Sequence, residues 1–483
     1  MTIEANNKSA KPVDALISAC LLGVAAFELL ELHGHVAWAG KAATGFLLLF
    51  LVIGQARLGL RERYLLGLAI VATIASALFS PDPKDLITRG LSQATFLAAF
   101  MLLLSLLRDG AVSSGSVLKL GRYLTRRPPG QRYAAIHAGG HALGIILNFG
   151  ALSLLGPLIQ RGIRADATTN PELADWRERR QMSALARGFS WIIAWSPTAV
   201  TQALVASVVT GSKPLVMALI GLFVAAGASV IGWAEDRVIV KKARATLAAH
   251  HALPRPETVP EPFPREAFMR FGIVCAVLAA ISICLIVLTG AKVVPSLMLA
   301  SPVVTVVWLW FQYNDVPNRV STLGKRIREI VQTSIPTGSP EAVTLSSAGY
   351  IGIVAAGLSN PEWLAELSNL NQWQPITIYL IVMAIVPLAS NLAMPPMLTV
   401  TFLGSLYSAL PYSPLDPTLL ATSLALGWAL NLTASPFGAT ALILSRITGI
   451  KGTTLSWKWN GAFTIACFLW ASLVLSILSS YTR

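Results

Sequence analysis

An all-α polytopic membrane protein, with about 11 transmembrane helices and two re-entrant hairpins in two inverted repeats, is the fold class this sequence predicts. Three observations predict it. The first is composition: 483 residues that are 54% hydrophobic and 12% charged, about half the charge of a soluble domain. Apolar stretches such as 15–30 and 271–288 approach the roughly 20 residues a helix needs to cross a bilayer core. The second is that lysines and arginines alternate with the apolar runs. The third is a local motif that occurs twice at a fixed offset.

The net charge of +14 would suggest nucleic acid in a soluble protein. Here the basic residues sit in short loops between apolar runs, the positive-inside pattern, so it is read as setting orientation and nucleic acid is not an expected partner. The four cysteines, Cys20, Cys275, Cys284 and Cys467, lie inside apolar runs with no CxxC or zinc spacing and read as buried thiols. Ala37-Trp38-Ala39 imitates a signal cleavage site, but Glu28 and Glu31 interrupt the preceding run, so it reads as a retained first span. Both glutamates are expected near the outer end of that span, where they need no function.

From Lys8 and Lys11 the predicted spans run over 13–31, 43–56, 64–80 and 91–107, ending at the basic stretch Arg108 to Arg132. The apolar segment 134–160 begins and ends on the basic side. A hairpin satisfies that and a single span does not. Its arms of about 13 residues are short for spanning. A span over 183–210 and another over 215–232 follow. The charged, proline-rich segment 235–268 is a linker. The second half gives spans over 269–289, 293–312 and 341–358, a hairpin over 376–410, and spans over 418–445 and 460–479. The domains expected are an extra N-terminal span (1–42), a first repeat (43–234), the linker (235–268) and a second repeat (269–483). The N-terminus and linker face the cytoplasm and the C-terminus the outside of a bacterial inner membrane.

The repeated motif is A-x-G-[FW]-x6-S-P-x3-T. It occurs at Ala186-Arg187-Gly188-Phe189, Ser196-Pro197 and Thr201, and again at Ala425-Leu426-Gly427-Trp428, Ser435-Pro436 and Thr440. The offset is 435 − 196 = 239 throughout. A hairpin-tip asparagine precedes each copy: Asn148 by 196 − 148 = 48 residues and Asn391 by 435 − 391 = 44. Because the copies cross in opposite senses, this is an inverted repeat, the usual plan of secondary transporters.

A proline inside a membrane helix removes a backbone hydrogen bond, and the freed groups must face protein or a water-filled cavity. Paired Ser-Pro breaks are therefore the best pointer to a binding site. Substrate candidates are Asn148, Ser196, Thr198, Thr201, Asn391, Ser435 and Thr440. Candidates for a coupling ion, sodium or a proton, are Asn148, Gly150, Ser196, Asn391, Ala393, Thr433 and Ser435. Arg187, about 13 Å from Ser196 at 1.5 Å per residue, reads as an anchor rather than a substrate clamp. His137 and His141, with Gly139, Gly140 and Gly144 beside them, read as helix packing rather than a metal pair. No GxSxG, HExxH or P-loop occurs, so neither an enzyme, a cofactor nor a metal is expected.

The hairpins and breaks, with Asn148, Ser196-Pro197, Thr201, Ser390-Asn391, Ser435-Pro436 and Thr440, resemble those of the ion-transporter superfamily, in particular the divalent anion–sodium symporters. The resemblance implies one extra span and two inverted five-span repeats. It also implies a homodimer held by scaffold helices, and hairpins with broken helices that carry solute as an elevator. Where that family has Ser-Asn-Thr at the tips, this chain has Leu147-Asn148-Phe149 and Ser390-Asn391-Leu392. The expected function is symport of a small, anionic, carboxylate-like solute. The alternatives are a cation/proton antiporter or inorganic-anion exporter of the same superfamily and, from another class, a membrane scaffold or intramembrane enzyme.

Overall fold

The computed structural model describes residues 12–167, 171–250, 262–359, 373–410 and 415–481. Lys8, Lys11 and most of the proline-rich linker lie outside them. Among the described residues the regular structure is helical throughout. Among the described residues nine helices are long and apolar enough to cross a membrane, and the chain is an all-α polytopic membrane protein. Apolar side chains facing outward at helical spacing, such as Ile465, Leu469, Leu473 and Ile477, are exposed. In water that would be a liability, whereas lipid tails accept it.

The chain divides into two compact units. The first comprises residues 1–110 and 276–359. It contains α1 (Pro12–Gly34), α2 (Ala39–Ile53), α3 (Leu60–Phe79), most of α4 (Pro83–Val112), the end of α11 (Arg265–Thr289), α12 (Val293–Gln312), α13 (Arg319–Glu329) and α14 (Ser339–Leu358). Small residues let these helices approach. Gly90 sits against the Tyr350 ring, whose hydroxyl meets Thr73 at 2.6 Å, so α3, α4 and α14 are joined at one aromatic residue. Phe27 of α1 stacks on Phe46 of α2 at 5.5 Å. Glu28 adds what the sequence reading left open. It is 3% exposed, pointed at Thr95 of α4, with its Oε2 unpartnered.

The second unit comprises residues 111–275 and 360–483. It holds α5 (Gly115–Thr125), α6 (Pro129–Leu147), α7 (Gly150–Ala167), α8 (Pro171–Ser190), α9 (Val200–Val208) and α10 (Pro214–His250). From the second half of the chain come α15 (Pro375–Asn391), α16 (Pro396–Ser408), α17 (Pro417–Ala434), α18 (Ala439–Thr448) and α19 (Trp459–Tyr481). The first hairpin is α6–α7 and the second α15–α16. The arms of the first have 19 and 18 residues, longer than the apolar run predicts, because polar turns carrying Gln131, Arg132, Arg161 and Arg164 continue the helices. For the same reason α10 runs on through Glu235 to His250, so the first part of the expected linker is helix. The basic stretches at 108–132 and 319–328 also contain helices, α5 and α13. Their charges occupy one side and their apolar residues the other.

Candidate functional site

Each predicted broken helix is broken at its Ser-Pro pair. In the first repeat α8 ends at Ser190, a 3-10 turn runs over Trp191–Ala194, and α9 begins at Val200. In the second, α17 ends at Ala434 and α18 begins at Ala439. Ser196 and Ser435 are both 0% exposed, so the serine of each break is enclosed by protein, while Phe437 of the second break is exposed.

The motif glycines explain how each break is placed. Gly188 of α8 lies so close to α6 that a Cβ there would fall on the His137 carbonyl oxygen. Gly427 of α17 stands in the same relation to α15, where a Cβ would come within 2.6 Å of the Met383 oxygen. In both repeats a glycine lets the broken helix touch the backbone of the first arm of its own hairpin. The hydroxyls then tie break to tip. Ser196 Oγ meets Thr198 Oγ1 at 2.7 Å, and Thr198 Oγ1 donates to the Ile145 carbonyl at 2.5 Å. Ser435 Oγ donates to the Ser390 carbonyl at 2.8 Å and accepts from the Phe437 amide at 3.2 Å.

The tips themselves are strained. Asn148 has φ 49° and ψ −132°, and Ala393 has φ 64°, positions where L-residues are uncommon and that cluster at ligand clamps. Asn391 is held through its side chain, which donates to the Pro387 carbonyl at 2.8 Å and accepts from Trp457 Nε1 at 3.0 Å. Thr433 Oγ1 meets Thr464 Oγ1 of α19 at 2.9 Å. Gly150 opens α7. Thr201 and Thr440, each the second residue of the helix after its break, are buried with their hydroxyls unpartnered.

All the predicted site residues thus fall in the second unit. The structure groups those of each repeat around their own break and tip. Among the described residues no hydrogen bond joins a candidate of one repeat to a candidate of the other. The repeats meet by packing: α17 lies on the 191–194 turn, α9 on α16 and α18 on α7.

Several residues at the breaks escaped the sequence reading. Gln202 of α9 donates to the Ala194 carbonyl at 2.7 Å, satisfying a group the break frees. Trp195 Nε1 donates to His141 Nε2 at 3.0 Å, and His141 Nδ1 contacts the Gly188 carbonyl at 2.9 Å. A ring that accepts at Nε2 and donates at Nδ1 is a neutral imidazole in a fixed tautomer, which has no nitrogen left for a metal. His137 Nε2 contacts Ser229 of α10 at 3.0 Å. Asn431 of α17 is 0% exposed, with both amide atoms unpartnered. A polar residue inside the apolar run 424–432 was the available signal for it. Arg187 is 2% exposed. It pairs with Glu235 at 3.0 Å, donates to Asn460 Oδ1 at 2.8 Å and stacks on Phe463, anchoring α8 to α10 and α19.

No protein-family model and no curated protein matches the chain. Solved structures share its fold, two transport proteins among them. The Alcanivorax borkumensis YdaH transporter, described as having an unusual topology, is 12% identical with a TM-score of 0.55, over 87% of this chain and 98% of that one. Neisseria gonorrhoeae MtrF, described with a class of antimetabolite efflux pumps, is 13% identical with a TM-score of 0.51, over 86% and 94%. The chain is an integral membrane protein with the fold of these two transport proteins.

Proposed function

We propose that the chain is a secondary active transporter of a small anionic, carboxylate-like solute, coupled to a sodium or proton gradient and working as an elevator. The observation that carries this reading is the pair of buried Ser-Pro breaks in one compact unit, each tied by hydroxyls to the tip of its own hairpin. Broken helices at corresponding places in two halves are where transporters bind solute. The amino ends of α9 and α18 favour an anion, and each carries a buried hydroxyl without a partner, Thr201 and Thr440. With Asn148, Ser196, Thr198, Asn391 and Ser435 these form the solute site near mid-membrane. Neutral oxygens at Asn148, Gly150, Ser196, Asn391, Ala393, Thr433 and Ser435 are the ligands for the coupling ion. Symport, the homodimer and the elevator follow the resemblance to divalent anion–sodium symporters. In that scheme residues 1–110 and 276–359 hold the dimer and residues 111–275 and 360–483 carry the solute. The two transport proteins of the same fold add support.

The test is flux in proteoliposomes with a panel of mono- and dicarboxylates, with and without sodium and proton gradients, in both directions. The reading expects gradient-dependent uptake or release of at least one carboxylate. Absence of flux, together with absence of any thermal shift by a carboxylate, contradicts it.

A further inference from the structure

Asn431 sits where the repeat needs no polar group. The offset of 239 maps it on Ile192 (431 − 192 = 239), and the hairpin offset of 243 maps Pro387 on Gly144 (387 − 144 = 391 − 148 = 243). In the first repeat Ile192 fills the space beside Gly144, an aliphatic side chain against a helix without a side chain. In the second repeat the positions picked out by the two offsets are a carboxamide, Asn431, and Pro387, which has no N–H to offer. Its Nδ2 and Oδ1 are both enclosed and both without a protein partner. Burying an amide unsatisfied is costly, and the first repeat shows that this position packs with a hydrocarbon.

The surroundings are suited to a ligand. One turn before Asn431, Gly427 brings the α17 backbone up to the Met383 carbonyl, which Pro387 leaves without its helical donor. One turn after it, Ser435 bonds the hairpin tip. Chemistry then narrows the occupant. A monatomic cation satisfies only Oδ1 and leaves Nδ2 orphaned. A carboxylate satisfies only Nδ2. Satisfying both atoms takes a donor beside an acceptor, which a buried water supplies and which, on a solute that also keeps an anionic end, a carboxamide or imide supplies at neutral pH.

We propose that Asn431 is a specificity residue that pairs with a neutral donor–acceptor group on the transported solute, a carboxamide or cyclic imide, in addition to that solute's anionic end. This rests on the transporter reading and names its substrate class more closely.

The experiment uses the full chain in detergent and two pairs of probes that differ only by NH2 against CH3: succinamate against 4-oxopentanoate, and glutaramate against 5-oxohexanoate. Binding is read by thermal shift across a concentration series. The wild type is expected to bind at least one amide about 10-fold tighter than its ketone, since a site built for a donor rejects the analogue that lacks it. Asn431→Leu, which copies the aliphatic character of Ile192, is expected to fold and to bring that ratio to about 1. Asn431→Gln, keeping the amide, is expected to retain part of the preference. Equal binding of amide and ketone by the wild type, an unchanged ratio in Asn431→Leu, or no response to either pair overturns the assignment. The transporter reading survives any of these if the carboxylate panel still gives gradient-driven flux, so the two failures are told apart.

Discussion

The two hairpin tips face the same task with different chemistry. In the second repeat the tip amide of Asn391 is braced by the protein, donating one N–H to Pro387 and accepting from Trp457, with its second N–H and lone pair left over. In the first repeat Asn148 is itself the strained residue, at φ 49°, and Ser196 and Thr198 make the link to the hairpin instead. What the repeats share is backbone: a glycine of the broken helix packed against the hairpin arm, a Ser-Pro break, and a threonine in the first turn of the next helix. What differs is the assignment of polar side chains to structure or to ligand. The comparison teaches that the two copies of the motif keep the same backbone arrangement while each engages its tip amide differently.

The largest effect expected is at the shared glycines. Gly188→Ala places a methyl on the His137 carbonyl, and overpacking of this kind costs about 1–3 kcal/mol or more. Gly427→Ala meets Met383 at 2.6 Å, a milder overlap. Thermal unfolding in detergent should therefore rank wild type above Gly427→Ala above Gly188→Ala. The reverse order breaks the geometric equivalence of the repeats.

Next come the tips. Asn148→Ala should weaken apparent solute affinity about 10- to 150-fold, the loss of one hydrogen bond to a charged ligand. Asn391→Ala should impair transport too, with a fall in thermal stability from the loss of two protein hydrogen bonds, whereas any fall in Asn148→Ala comes from placing alanine at positive φ and is matched by Asn148→Ser. Matched affinity and stability profiles for the two variants would show that the tips are used alike.

The difference between them was only partly legible in the sequence. Spans, breaks and tips could be read because a proline in an apolar run and a positive-inside pattern act locally. Gly188 and Gly427 were visible as a motif, but their reason, contact with an arm 188 − 137 = 51 or 427 − 383 = 44 residues earlier, is a matter of packing. Gln202 and Asn431 looked like polar residues in apolar helices, and which of them finds a partner depends on neighbours that the sequence does not bring together. The burial of Glu28 against α4 was not legible for the same reason: it is set by tertiary contact, not by distance from the helix end.

Smaller effects sharpen the comparison further. Gln202→Leu leaves the Ala194 carbonyl unsatisfied in the first break and should cost about 1–3 kcal/mol. It is measured as a lowered unfolding midpoint, and a stability equal to wild type would mean another donor caps the break. Trp457→Phe removes a single hydrogen bond to Asn391, worth about 0.5–1.5 kcal/mol. It should leave folding intact and shift transport modestly, if at all. A collapse of transport in that variant would show that the Trp457 bond, rather than the amide itself, positions the second tip.

The central claim is that solute is held at the two breaks inside the second unit. Its most direct test is a cryo-electron microscopy map of the full chain in nanodiscs with a carboxylate that shows flux. The account predicts density within hydrogen-bonding reach of Asn148, Thr201 and Thr440. Density elsewhere in residues 111–275 and 360–483, with both breaks empty and Thr201 and Thr440 still unpartnered, would contradict it.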